Sequence, residues 1–376
     1  MQGEPRLAFR PTGRLARGLA VLMFAATVLA AAPARAGAGD VTASTEVSAG
    51  RDFRAWSLLG DVELRDDATF LTVGYTVARP EKGTAPTHQL ALGVDQALGD
   101  HWLVSASASV GLPKSTHVVV APARPRLGLP GLDARTGYSS QALLLSAAYD
   151  SAGFSGVEYG LDAGVSLTRY PLSRELFLAN RAGEAPLYAR EELLWIARPS
   201  LGARVLLGLR WELGLRAGLT LYSDDPLSAG QFTDAEVAEL ARRFESAVEA
   251  RRALLGLRER INRDLGSGLA RRVSDVNATT GIPTAPSRFD LKPSLTWRPH
   301  PAVRGQLSYA FTRYVPGEGL SHVLATRWTV RLGAPVRVWA SVAVQQDHLG
   351  GQDGSEAEEP SRVRSGLVTV GGEYTF

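Results

Sequence analysis

Cysteine is absent from the 376 residues, which excludes a disulfide framework and any thiolate metal site. Long apolar runs are missing as well. Beyond Gly37 none approaches the roughly 18 residues that a membrane-spanning helix requires. There is no H-E-x-x-H pair, no phosphate-cradling glycine loop and no dinucleotide fingerprint, so no metal and no cofactor is expected. Gly153-Phe154-Ser155-Gly156 is not a nucleophile elbow, because a strand pattern follows where a helix is required. The histidines are His88, His101, His117, His300, His322 and His348. His101 and His300 fall in expected turns and His117 in an expected loop. Ser321-His322 and Asp347-His348 are chain neighbours, whose side chains diverge on a strand. Asp224 and Asp225 lie near His348 only if the fold brings them there. No catalytic set is spelled out and the chain reads as a non-enzyme. The net charge of +3 comes with no aromatic-basic module for nucleic acid.

What the chain does contain begins with an export signal. Arg6, Arg10, Arg14 and Arg17 precede an apolar run from Leu19 to Ala32, and Ala34-Arg35-Ala36 follows as an A-x-A cleavage site. That is the layout of a secretory signal peptide over residues 1–36. With no cysteine at the cleavage point, a lipoprotein anchor is excluded. Residues 37–376 are then either soluble and exported or embedded in a membrane as strands.

Segments of alternating polarity recur through the mature chain. In Trp211–Tyr222, Trp211, Leu213, Leu215, Ala217, Leu219 and Leu221 fall on one face; Glu212, Gly214, Arg216, Gly218 and Thr220 fall on the other. Ser287–Arg298, Gly156–Thr168 and Trp102–Val110 repeat the pattern. A soluble sandwich also alternates, but its strands usually run about 5–6 residues. These run about 9–13, the length a tilted strand needs to cross a bilayer.

The last stretch, Arg362–Phe376, carries Val368, Val370, Tyr374 and Phe376 on one face and Thr369, Gly371, Glu373 and Thr375 on the other. It resembles the closing strand of a Gram-negative outer-membrane β-barrel, with Gly372 a departure where a bulkier apolar residue is usual. The resemblance implies that the barrel-assembly machinery reads this end and that outer-membrane lipids surround the protein. An ordinary edge strand that stops at phenylalanine is the competing reading of this stretch alone.

Connection lengths agree with a barrel. Tight links at Arg65–Ala68, Gly99–His101, Asp150–Phe154, Gly208–Arg210, Pro299–Ala302 and Gly333–Pro335 alternate with longer ones. The longer ones are Pro80–Pro86, Leu112–Gly137, Pro171–Arg190, Ser223–Pro286, Val315–Ser321 and Leu349–Ser361. Short periplasmic turns and long outer loops alternate this way in outer-membrane barrels. With Val41–Ala49 and Arg54–Leu64 counted, the fold class is an all-β, transmembrane, antiparallel up-and-down barrel of about fourteen strands. If those two segments form a tether, twelve remain.

One segment departs from the strand pattern. Thr233-Asp234-Ala235-Glu236 is a capping box that opens a helical stretch to about Leu265, with Val237, Leu240, Phe244, Val248 and Ile261 near one side. The insertion, about 223–286, belongs to a long outer loop or folds into the barrel mouth.

The inward face is the most informative part. Before Glu191 its charges are Asp95, Glu158 and Asp162. After it they are mainly Arg198, Arg204, Arg216, Arg288, Lys292, Arg298, Arg304, Arg327, Arg331 and Arg337, against Glu212, Asp290 and Glu373. Arg204, Arg298, Arg304, Arg331 and Arg337 flank short turns and form an expected basic collar. Such a wall either concentrates small anionic solutes or is neutralised by structural pairing. Three functions follow from different classes: a passive, porin-like pore favouring anions, a structural or surface-interaction barrel displaying 223–286, and an outer-membrane hydrolase. Too few residues precede the first strands for a TonB-type plug, so energised uptake is not expected.

Overall fold

The computed structural model describes residues 40–50, 54–64, 68–79, 86–121, 132–151, 157–178, 186, 188–224, 287–314, 319–349 and 361–376. The expected signal peptide over residues 1–36 and the expected helical stretch from Thr233 lie outside these residues. The strands are β1 (Val41–Gly50), β2 (Arg54–Glu63), β3 (Thr69–Arg79), β4 (Thr87–Leu98), β5 (Trp102–Ala121), β6 (Leu132–Asp150) and β7 (Val157–Leu178). They continue as β8 (Tyr188–Leu207) and β9 (Trp211–Leu219, resuming after Thr220 as Leu221–Tyr222). β10 (Ser287–His300), β11 (Val303–Tyr314), β12 (Leu320–Arg331), β13 (Val336–Leu349) and β14 (Ser361–Thr375) complete the set.

Each strand pairs antiparallel with the next, and β14 pairs with β1, so the sheet closes as a fourteen-stranded barrel. β1 and β2 are wall strands, which removes the twelve-strand alternative. Closure leaves no edge strand through the body of the wall, the condition for placing strands in a medium that offers no hydrogen bonds. Past it, β5 beyond Gly111 and β8 before Trp195 are paired on one side only among the described residues. At the seam Thr42 is opposite Thr375 and Val47 opposite Val370. The Phe376 N–H donates to Val41 O at 2.8 Å, and the Ser48 and Thr369 hydroxyls are 2.9 Å apart.

The expected short links all gather at one end, the turn rim, together with Val41 and Phe376. The opposite end is the loop rim. Two of the long links are shorter than expected, because β5 and β6 continue through 112–121 and 132–137, and β7 and β8 through 171–178 and 188–190. Pro113 falls at a register shift between Gly111 and Lys114, and Pro171 stays in register opposite Leu193. On β7 the polarity also inverts beyond Thr168. Tyr170, Leu172 and Leu176, at inward positions, are buried together with Arg174, while Arg169, Ser173, Glu175 and Phe177 take the outward ones.

The outward face is apolar over the middle of the wall, with Leu92, Leu161, Leu201, Leu215, Val342 and Val344 exposed. Aromatic side chains bound that band at both rims. Near the turn rim Trp102 packs on Tyr149, and Trp211, Trp297 and Trp328 form a chain with centroids 5.9 and 6.2 Å apart. Near the loop rim Trp56 meets Tyr75, and Tyr75 meets His88. Two aromatic girdles around an apolar band are what a barrel in a bilayer presents to lipid.

Candidate functional site: the charged inner wall

Residues directly opposite on paired strands share a face, so the register assigns the lumen. The row Asp150–Gly160–Arg204 crosses β6, β7 and β8, and the Arg204 Nε donates to Asp150 Oδ1 at 3.2 Å. The row Asp162–Gly202–Arg216 crosses β7, β8 and β9 and carries an ion pair of 2.7 Å. A third row, Glu46–Gly371–Trp339, crosses β1, β14 and β13, with the indole N–H donating to Glu46 at 3.1 Å. In each row the middle position is glycine. Charged groups on alternate strands are about two strand spacings apart, and a side chain between them would stand in the way. A Cβ on Gly202 would collide with the Asp162 carboxylate, and one on Gly371 with the Trp339 ring.

Other inward charges pair as well. Arg198 reaches Asp290 at 3.2 Å, Arg298 and Arg304 share Glu212 at 3.0 and 3.6 Å, and Arg337 meets Glu373 at 3.1 Å. Of the five collar arginines, Arg204, Arg298, Arg304 and Arg337 therefore hold carboxylates. Arg331 has no ion-pair partner among the described residues. These pairs are partly open to the lumen, where each contributes only about 0–1 kcal/mol.

Four of the collar residues come together. Arg298, Arg304, Arg331 and Arg337 line one cavity of about 1000 Å³ near the turn rim, with Arg327 as a fifth guanidinium. Arg204 stands apart from it, on β8. The cavity also takes in Glu46, Glu373 and Trp339. Even with Glu212 counted, five guanidiniums meet three carboxylates. Arg327 lies over the Trp339 ring at 4.9 Å, a cation–π contact that aims a charge already on the inward face. Trp339 and Glu46 carry no signal in the sequence that marks them as partners. Their parity places them inward, but only the register between β13, β14 and β1 brings them together.

Toward the loop rim the inner wall changes. Tyr170, Leu172, Leu194 and Ile196 form one buried apolar cluster, and Val323, Ala343 and Leu367 another. Between β11 and β13, Tyr314, Ser321, Gln345 and Asp347 are buried polar groups, with Gln345 Nε2 donating to Asp347 Oδ1 at 2.7 Å.

Among the described residues the histidines do not converge on a reaction centre. His322 and His348 face outward, with ring centroids 5.9 Å apart, while their neighbours Ser321 and Asp347 face inward. His101 contacts the Asp150 carbonyl at 2.8 Å, and His300 Nδ1 accepts from the Ala302 N–H at 3.1 Å. Asp225 and the His117 side chain lie outside the described residues. Among the described residues no three His, Asp or Glu side chains group as a metal site. Val368, Val370, Tyr374 and Phe376 all face outward and are exposed, with Tyr374 and Phe376 in edge-to-face contact at 4.8 Å.

No family model matches the chain, and no curated protein sequence does. Among solved structures it is similar to the CymD monoaromatic hydrocarbon channel, at 10% identity over 90% of this chain and 88% of that one, with a TM-score of 0.47. It is similar to a Pseudomonas aeruginosa FadL homologue, at 9% identity over 89% of each chain and a TM-score of 0.44. It is also similar to the translocator domain of the autotransporter NalP from Neisseria meningitidis, at 10% identity over 97% and 99% and a TM-score of 0.39.

Proposed function

We propose that this barrel is a passive outer-membrane pore whose turn rim faces the periplasm and whose lumen favours small anionic solutes. The supporting observation is the cavity near the turn rim, where Arg298, Arg304, Arg327, Arg331 and Arg337 outnumber Glu46, Glu373 and Glu212. Guanidinium stays charged at any accessible pH, and a water-filled constriction with excess positive charge lowers the barrier for anions. The protein reaches this location by the secretory route with residues 1–36 removed, and the barrel-assembly machinery inserts it. The test is single-channel recording of the refolded protein in a planar bilayer under a potassium chloride gradient. Steady conductance with a chloride-selective reversal potential supports the reading, and a silent bilayer overturns it.

One observation favours a second reading. The loop-rim half of the inner wall carries the buried clusters around Leu194 and Val323, as in a barrel whose lumen is filled at that level. A filled barrel conducts nothing, and its function is then to display 223–286 to a partner. Absence of conductance selects that reading.

A further inference from the structure

The lipid-facing wall changes chemistry at the loop-rim end of β11 to β14. One register row places Phe311, His322, Gln346 and Arg364 side by side across these four strands. The next row outward holds Arg313, Leu320 and His348. Arg313 and Arg364 are exposed, and neither has an ion-pair partner among the described residues. The His322 ring bonds the Tyr309 hydroxyl through Nδ1 and meets His348 edge-on. Gln346 Nε2 lies 2.9 Å from His348 Nε2. No described outward position on these strands is a carboxylate; Asp347 and Glu373 point into the lumen. Toward the membrane centre the same strands present Leu324, Val344, Val342 and Val368, each about half exposed.

We propose that this patch binds the phosphorylated headgroup of an anionic outer-leaflet lipid, whose acyl chains lie along Leu324, Val342 and Val344. Two guanidiniums without an ion-pair partner among the described residues, and two imidazoles, all within two register rows, supply donors for phosphate oxygens. The apolar wall that continues from the patch supplies the place for acyl chains. A soluble anion would use only the upper half of this surface, and a soluble protein would be kept off it by lipid. The site requires that the barrel span a membrane, and it holds whether or not the lumen conducts.

The test titrates the detergent-purified full chain with an acylated disaccharide bisphosphate lipid, its dephosphorylated counterpart and inorganic phosphate, read by native mass spectrometry. The phosphorylated lipid binds, its dephosphorylated form binds far more weakly, and inorganic phosphate does not compete. Arg313→Gln with Arg364→Gln weakens binding about thirtyfold, the effect of two basic side chains at an anionic lipid surface. The double lysine variant retains binding. Arg54→Gln, which removes an exposed outward arginine on β2, leaves it unchanged. Heat-dependent gel migration verifies that each variant is folded. Equal binding by the double glutamine variant or by the dephosphorylated lipid overturns the proposal. Full competition by inorganic phosphate makes this a soluble-anion site and overturns the lipid assignment.

Discussion

The indole of Trp339 packs over the bare Cα of Gly371, its directly opposite residue on β14, and from there reaches Glu46 on β1. Any side chain at position 371 meets a rigid ring rather than the tip of a flexible chain. Gly371→Ala is expected to cost about 1–3 kcal/mol, the usual penalty for overpacking, and to break the Trp339–Glu46 hydrogen bond. Urea unfolding of the refolded barrel followed by tryptophan emission reads both. A variant as stable as the parent, with unchanged emission, would show that the indole can move aside freely.

The cavity charges predict an order of effects. Changing Arg298, Arg304, Arg331 and Arg337 together to glutamine is expected to move the reversal potential in a salt gradient toward cations without unfolding the barrel. Among single changes, Arg337→Gln should move it at least as far as Arg331→Gln, because it also leaves the Glu373 carboxylate without its partner. Unmoved selectivity in the fourfold variant would make these charges structural.

The lipid face can be tested at one position and its neighbour across the wall. Leu215 is half exposed on the outward register, so Leu215→Arg should cost about 2–4 kcal/mol at the bilayer midplane. Ser294→Arg points into the lumen beside Gly214 and should be milder. Unfolding free energies measured in lipid vesicles decide it, and swapped severities would invert the assignment of the two faces.

The closing strand yields an assembly prediction. Phe376 is exposed on the outward face and hydrogen-bonds back to β1 through its N–H. Deleting Phe376 should lower the amount of barrel resistant to urea extraction from membranes far more than deleting residues 225–286. Equal recovery of the two deletions would remove this strand as the assembly signal.

Much of the wall is legible in the sequence. The face of a strand residue is a matter of parity alone, so Leu215 outward and Arg298 inward follow from the local pattern. The short turns follow from local chemistry, as at Gly99 and Gly208, whose φ of 64° and 62° suits glycine. The extensions of β7 and β8 are not legible. Beyond Thr168 Tyr170, Leu172 and Leu176 take the inward face, and Pro171 resembles a terminator, so the segment loses the pattern that identifies a membrane strand. It remains a strand because its ladder to β8 continues and its inward side chains are buried.

Period-two alternation and turn residues act over a few neighbours, so long antiparallel strands with one apolar face, the last ending at Phe376, follow from the residues alone. Which charges meet depends on how the strands align. Asp162, Gly202 and Arg216 lie on three strands, and their alignment depends on two successive hairpin registers, each of which could slip without changing any local pattern. Glu46 and Trp339 are 293 residues apart in the chain and meet only because β14 closes on β1. The inward glycines carry the same lesson: in sequence they are small residues on a polar face, and in the barrel they are the gaps through which charged side chains reach across a strand.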